Sequence, residues 1–180
     1  MTLIVYKNGE LAADNGCTRN DSREPSRKIR ILRDGDCTIT IGYSGNLDAI
    51  ERHWREVTGR IANHKPFLDD YPTMNAAGIA VVAPDEPDED NPINVFTFNC
   101  FDQNTGGGVW VREHSSMVCE GADFATCSAM AIDHVAPHMS AAQIVKNVAE
   151  VNSSVDTRFG VSRVAVVNPE GLLPNTVYKV

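Results

Sequence analysis

Thr2 carries the most distinctive chemistry in this chain of 180 residues. If Met1 is removed, Thr2 becomes the N-terminal residue and bears a free α-amine and a β-hydroxyl together. An α-amine titrates near about pH 8, so part of it is neutral at pH 7 and can take the hydroxyl proton, directly or through a water. The residue is then a nucleophile with its own base attached. The bland alternative is an ordinary N-terminal strand, and the first residues alone favour it.

Other reactive types carry less. His134 and His138 stand at i, i+4 beside Asp133, a spacing that suits zinc on a helix. Pro137 interrupts that helix and no third ligand follows, so neither a metal nor another cofactor is expected. Gly106-Gly107-Gly108 lacks the spacing and following helix of a phosphate-binding loop and reads as a hairpin connection. Cys17, near the start of the chain, is either a reactive thiol or small apolar filler, and filler is the commoner case.

The elements that must position Thr2 begin with its own strand. Residues 1–14 read as a hairpin, because apolar runs flank Asn8-Gly9, the dipeptide that best tolerates the positive φ angles of a type I′ turn. That turn sets Lys7 opposite Glu10, Tyr6 opposite Leu11 and Ile4 opposite Ala13. Residues 15–26 are polar and read as a loop. A second hairpin, 28–32 and 37–41, turns at Asp34-Gly35-Asp36 and ends in a small-residue corner, Gly42-Tyr43-Ser44-Gly45. A helix over 46–63 follows, with Leu47, Ile50, Trp54, Val57 and Ile61 at helical spacing.

Strands over 77–83, 93–99, 108–113 and 116–119 lead to an alanine-rich helix over 122–135, which Pro137 ends. Ser140 and Gln143 form a capping box for a last helix over 141–155, striped by Ile144, Val148 and Val151. A β-branched strand over 161–167 precedes a tail, 168–180. Near-continuous apolar strands such as Leu3 to Tyr6 suggest sheets covered on both faces. The economical packing is an α+β, four-layer αββα sandwich of two antiparallel sheets between helical layers, in a single domain over 1–180.

Composition narrows the partners. The net charge is −8, with 42% hydrophobic and 22% charged residues, ordinary for a globular chain. The one basic cluster, Arg23 to Arg33, is broken by Glu24, which disfavours nucleic acid and anionic membrane surfaces. No apolar run is long enough to span a bilayer, and the start does not resemble a signal peptide. Five scattered cysteines, without a C-x-x-C pair, fit a reducing cytoplasm. The acidic tract from Pro84 to Asp90 reads as a solvated loop.

Four landmarks, in this order, resemble the N-terminal-nucleophile hydrolases of the proteasome β-subunit and HslV type, over about residues 2–167. Thr2 opens the first strand, as that family's nucleophile does. Leu11-Ala12-Ala13-Asp14 matches the family's second-strand motif, and Lys28-Ile29-Arg30-Ile31-Leu32 matches the strand that carries the active-site lysine. Gly42-Tyr43-Ser44-Gly45 matches the corner whose glycine amide forms the oxyanion hole. Val118-Cys119-Glu120-Gly121-Ala122 resembles the entry to the later helices, with Glu120 where the family has a serine.

The resemblance implies a catalytic set of Thr2, Asp14, Lys28 and Gly42. Lys28 would keep the Thr2 amine neutral and stabilise the alkoxide, Asp14 would hold Lys28 charged, and the Gly42 amide would meet the oxyanion. Ser44, Gly121, Ser154 and Thr157 are implied as substrate-binding or supporting residues, with Asp156 nearby. A peptide or protein substrate and an ATP-dependent unfoldase are the implied partners. So is a homo-oligomeric ring, held partly through helices 46–63 and 122–135 with Ile50, Trp54, Ala125, Ala129 and Met130 as contact positions. The alternative is a catalytically silent member of the same fold that serves binding or assembly.

Overall fold

The computed structural model describes residues 2–19, 22–69, 71–72, 74–100, 109–152, 155–165 and 178–179. The opening hairpin forms as its turn chemistry requires. β1 (Leu3–Lys7) and β2 (Glu10–Asp14) pair with Ile4 opposite Ala13, Tyr6 opposite Leu11 and Lys7 opposite Glu10. Asn8 and Gly9 take φ of 47° and 81°, the positive pair of a type I′ turn.

Residues 15–26, expected as a loop, instead form a small hairpin of β3 (Gly16–Arg19) and β4 (Ser22–Pro25). These strands lack apolar alternation, so nothing in their side-chain pattern announces them. The second hairpin is β5 (Ile29–Asp34) and β6 (Cys37–Gly45). The expected corner at Gly42–Gly45 is extended strand, because β7 (Ala76–Pro84) pairs with β6 along its whole length, from Cys37 opposite Pro84 to Gly45 opposite Ala76.

Helix α1 (Leu47–Ala62) starts only after Asn46, whose side-chain oxygen accepts from the Asp48 and Ala49 amides. β8 (Asn94–Asn99) and β9 (Val109–Glu113) complete one sheet, in the order β5-β6-β7-β8-β9. β10 (Met117–Gly121) then crosses to the other sheet, followed by α2 (Asp123–Val135) and α3 (Ala141–Val151). The capping box of Ser140 and Gln143 is formed. α3 stops at Val151 rather than 155, and Val151 is exposed; the buried stripe is Ala141, Ile144, Val145 and Val148. β11 (Val161–Ala165) joins β2, and β12 (Tyr178–Lys179), read as tail, adds an edge strand; this sheet runs β10-β1-β2-β11-β12.

The side chains of β1 alternate between two cores. Leu3 and Val5 pack with Ala125, Ala129, Ile144 and Val148 under α2 and α3. Ile4 and Tyr6 meet Ile29, Ile79 and Val81 across the gap between the sheets. A third core joins Ile39, Ile41 and Tyr43 to Ile50 and Val57 of α1. Three apolar seams therefore bind four layers in the order α1, sheet, sheet, α2 with α3, and β1 is covered on both faces.

These seams also correct the expected contact positions on the helices. Ala125, Ala129 and Ile50 face inward and are buried, while Met130 is exposed together with Phe124 and Val135 of α2.

Candidate active site

The start of β1 is enclosed rather than frayed. It lies between β2 and β10, and Thr2 is only 7% exposed. Leu3 stands opposite Gly121, whose φ of 150° suits glycine alone; a Cβ there would lie 2.1 Å from the Thr2 carbonyl oxygen. Gly121 thus supports the site by letting two backbones close on each other.

Asp14, at the end of β2, ties the strand start to a buried cation. Its Oδ1 accepts the Leu3 amide at 2.8 Å and its Oδ2 accepts Lys28 Nζ at 2.9 Å. Both side chains are almost fully buried. The pair sits one peptide unit from Thr2. Burial pushes the Lys28 ammonium below its usual value, and Asp14 opposes that shift, joined by Cys17 and Asp156. The expected juxtaposition of Asp14 and Lys28 is present, as a buried ion pair and not a solvated one.

The Lys28 carbonyl in turn accepts the Tyr43 amide at 2.9 Å, which fixes the end of β6 beside the lysine. In an antiparallel ladder successive amides point to opposite sides. The Gly42 and Ser44 amides therefore turn toward β7, where Gly42 stands opposite Ile79 and Ser44 opposite Ala77. Gly42 does not offer a free donor. Its missing side chain serves packing instead, since a Cβ would lie 2.7 Å from Ile4 Cγ2. Gly45, with φ of 126°, turns its amide back to the β5 side, beyond where β5 begins. The Gly42 amide is thus turned toward β7, whereas the Gly45 amide is directed away from it.

Two further groups were not assigned by sequence. Asp156 is buried, and a Cβ on Gly16 would come within 2.6 Å of its own Cβ, so the loop after α3 presses against β3. Its carboxylate also holds Arg158 through Nε and an Nη at 3.0 Å. Asn15, next to Asp14, accepts the Ser162 hydroxyl at 2.6 Å and locks β11 to the same end of the sheet. Contacts spanning about 140 residues of sequence leave no local signal. Thr157 lies in the turn that closes on Gly160, its carbonyl accepting the Gly160 amide at 2.8 Å, while Ser154 lies outside the described residues.

Glu120 lies on the other side of β1, opposite Ile4. Burial pushes its carboxyl up to about 7, with Asp123 adding to the rise and a backbone hydrogen bond to Gly121 opposing it.

A four-layer αββα sandwich with two antiparallel sheets is the fold of the N-terminal-nucleophile hydrolases. The solved structures most similar in shape include Anbu proteins and an HslV. The Anbu Gly-1 mutant from Hyphomicrobium sp. strain MC1 has a TM-score of 0.68 at 12% identity, covering 99% of this chain and 86% of that one. Anbu, the ancestral β-subunit, from Yersinia bercovieri gives 0.66 at 11% identity, with 99% and 86% coverage. Eukaryotic HslV from Trypanosoma brucei gives 0.56 at 16% identity, covering 91% of this chain and 98% of that one. No protein-family profile and no curated protein matches the sequence. Among the described residues no helix is long and apolar enough to cross a membrane.

Proposed function

We propose that this protein is a threonine-type hydrolase of amide bonds, acting on peptide or protein substrates with Thr2 as nucleophile once Met1 is removed. The observation that carries the reading is Asp14, which binds the amide following Thr2 with one oxygen and a buried lysine with the other. A surface salt bridge needs no such enclosure. A buried ammonium beside a hydroxyl stabilises the alkoxide and lowers the proton affinity of a neighbouring amine, and both effects favour attack. The Gly45 amide supplies the oxyanion donor in this scheme.

The reading includes self-association. Phe124 is 70% exposed, and Met130 and Val135 of the same helix are exposed as well, an apolar outer face that a second copy would cover. A solved neighbour of the same fold is described as a helical assembly of the Anbu complex from Pseudomonas aeruginosa.

A second reading, a silent fold used for assembly, draws on Glu120, which stands where the resembling family has serine. A β-lactone or epoxyketone probe separates the two. Covalent label mapped to Thr2, and lost in Thr2→Ala with the fold intact, supports the hydrolase. Absence of label on wild type, or label that persists in Thr2→Ala, rejects it.

A further inference from the structure

The outward side of α1 carries a charged cleft that the chemistry at Thr2 does not use. It measures about 700 Å³ and lies along the C-terminal half of the helix. Arg52 and Arg55 line it from the helix, and Arg60 and Lys65 line it near the helix end. Arg60 holds Asp69 at 2.6 Å and lies 4.6 Å from the centre of the Tyr71 ring. The chain after α1 thus turns back beside the helix and gives the cleft a second wall. Arg52, Arg55 and Lys65 are exposed and form no ion pair among the described residues. Four cations line the cleft against two carboxylates, Glu56 and Asp69.

Gly59 lies in the same lining. A glycine inside a helix costs stability relative to alanine. Neither of the usual reasons for one holds here. Its φ is not positive, and an added Cβ would meet nothing within 4 Å. The space it keeps open is not filled by this chain's own atoms, so it is space for an occupant from outside.

The loop after β7 has the opposite charge. Asp85, Glu86, Asp88, Glu89 and Asp90 fall within six residues, and all are exposed. Arg33 engages Asp85. Asp88 turns inward on the loop, its Oδ1 accepting the Asp90 and Asn91 amides at 3.0 and 2.7 Å. That turn fixes the backbone and leaves Glu86, Glu89 and Asp90 without an ion pair among the described residues. Arginine binds carboxylates through a planar fork, and a preformed turn leaves little to be ordered on docking. Among the described residues no hydrogen bond or ion pair joins this tract to the cleft of the same chain.

The net charge of −8 makes copies of this chain repel one another at long range. Contact between them is favoured where unlike charges meet, and every copy carries both halves of such a pair. We propose that the cleft on α1 seats the acidic tract, residues 85–90, of a second copy of this chain. Two different patches make the contact, so it runs head to tail and repeats along a ring or a filament. It lies on the helical layer opposite α2. It rests on the self-association included in the proposed function and is independent of the chemistry at Thr2.

The test isolates this contact in the variant Phe124→Asp with Met130→Glu, which removes the apolar face of α2. Between about 0.01 M and 1 M salt the screening length falls from about 30 Å to about 3 Å. By light scattering, that variant should exceed the 19.6 kDa of one chain at low salt and fall to it at high salt. In the same background, Arg52→Glu with Arg55→Glu should be monomeric at low salt, and so should Glu86→Lys with Glu89→Lys. Mixing these two proteins should restore association, because each supplies the half the other lacks. Gly59→Glu, which puts a carboxylate of the same chain into the cleft, should lose association with its helix content intact by circular dichroism. If wild type assembles but the α2 variant is monomeric at low salt, the tract-in-cleft contact is overturned and the α2 contact stands. A mass that does not respond to salt, a mixture that stays monomeric, or unchanged association in Gly59→Glu overturns it as well. Wild type that is monomeric at low salt overturns both contacts.

Discussion

Asp14 accepts the Leu3 amide and the Lys28 ammonium on its two oxygens, at 2.8 and 2.9 Å. One carboxylate thereby locks the first peptide of a central strand to a buried cation. The lock makes the site part of the protein's stability and not an addition to it.

The pair should behave accordingly. Lys28→Ala and Asp14→Asn each leave a buried group unpaired and should cost about 3–5 kcal/mol. The double variant should cost less than the sum, since no charge is then stranded. Urea unfolding of the three proteins measures this. Single variants within about 0.5 kcal/mol of wild type would show the pair to be solvated in solution.

A second expectation concerns acid. His53 of α1 is fully buried, with Nδ1 3.0 Å from the Tyr43 hydroxyl, its ring stacked on Phe98 and Nε2 without a partner among the described residues. Burial depresses its imidazole from 6.5 to about 4, with Arg60 contributing in the same direction. The folded state therefore resists a proton that the unfolded state accepts. Stability from this group is complete above about 6.5 and falls as pH drops toward about 4, by roughly 3 kcal/mol in all. His53→Phe should flatten that part of the stability curve. Equal slopes for wild type and variant would remove His53 as the cause.

Gly42 tests the contact between the sheets. A methyl added there would meet Ile4 Cγ2, so Gly42→Ala should destabilise by about 1–3 kcal/mol. Adding Ile4→Ala, which removes the obstructing methyl, should recover part of that loss. A double-mutant cycle reads the coupling, and strict additivity would place the strain elsewhere.

Self-association should depend on α2. Light scattering coupled to size exclusion should give a mass above the 19.6 kDa of one chain. Phe124→Asp with Met130→Glu should reduce it while leaving the fold unchanged by circular dichroism. A monomer mass for wild type across micromolar concentrations would exclude the assembly.

Much of this was legible in sequence where local chemistry decides the outcome. Asn8-Gly9 dictated a turn and hence the register of Ile4 with Ala13, and the Ser140 capping box announced α3. Asp14 and Lys28 were legible through a resemblance, because 14 residues of separation say nothing about burial. β3 and β4 were not legible, since they carry no apolar alternation, and the close approach of Gly16 to Asp156 spans 140 residues of sequence. The amide proposed as the oxyanion donor lies three residues beyond the one expected. Which way an amide points in a strand depends on its partner, and the partner of Tyr43 is the Lys28 carbonyl.

The exposed cysteine of α2 gives the molecule a convenient handle once the half-buried Cys17 and Cys37 are replaced by serine. Cys127 is exposed on α2, between Phe124 and Met130, whereas burial pushes the thiols of Cys100 and Cys119 up to about 11 and about 12. Maleimide dyes react with thiolates, so at neutral pH these two should stay dark while Cys127 takes the fluorophore. A dye at that position sits on the face proposed to meet a second copy. Its quenching on mixing would report assembly in real time, without a tag at the terminus that holds the proposed nucleophile.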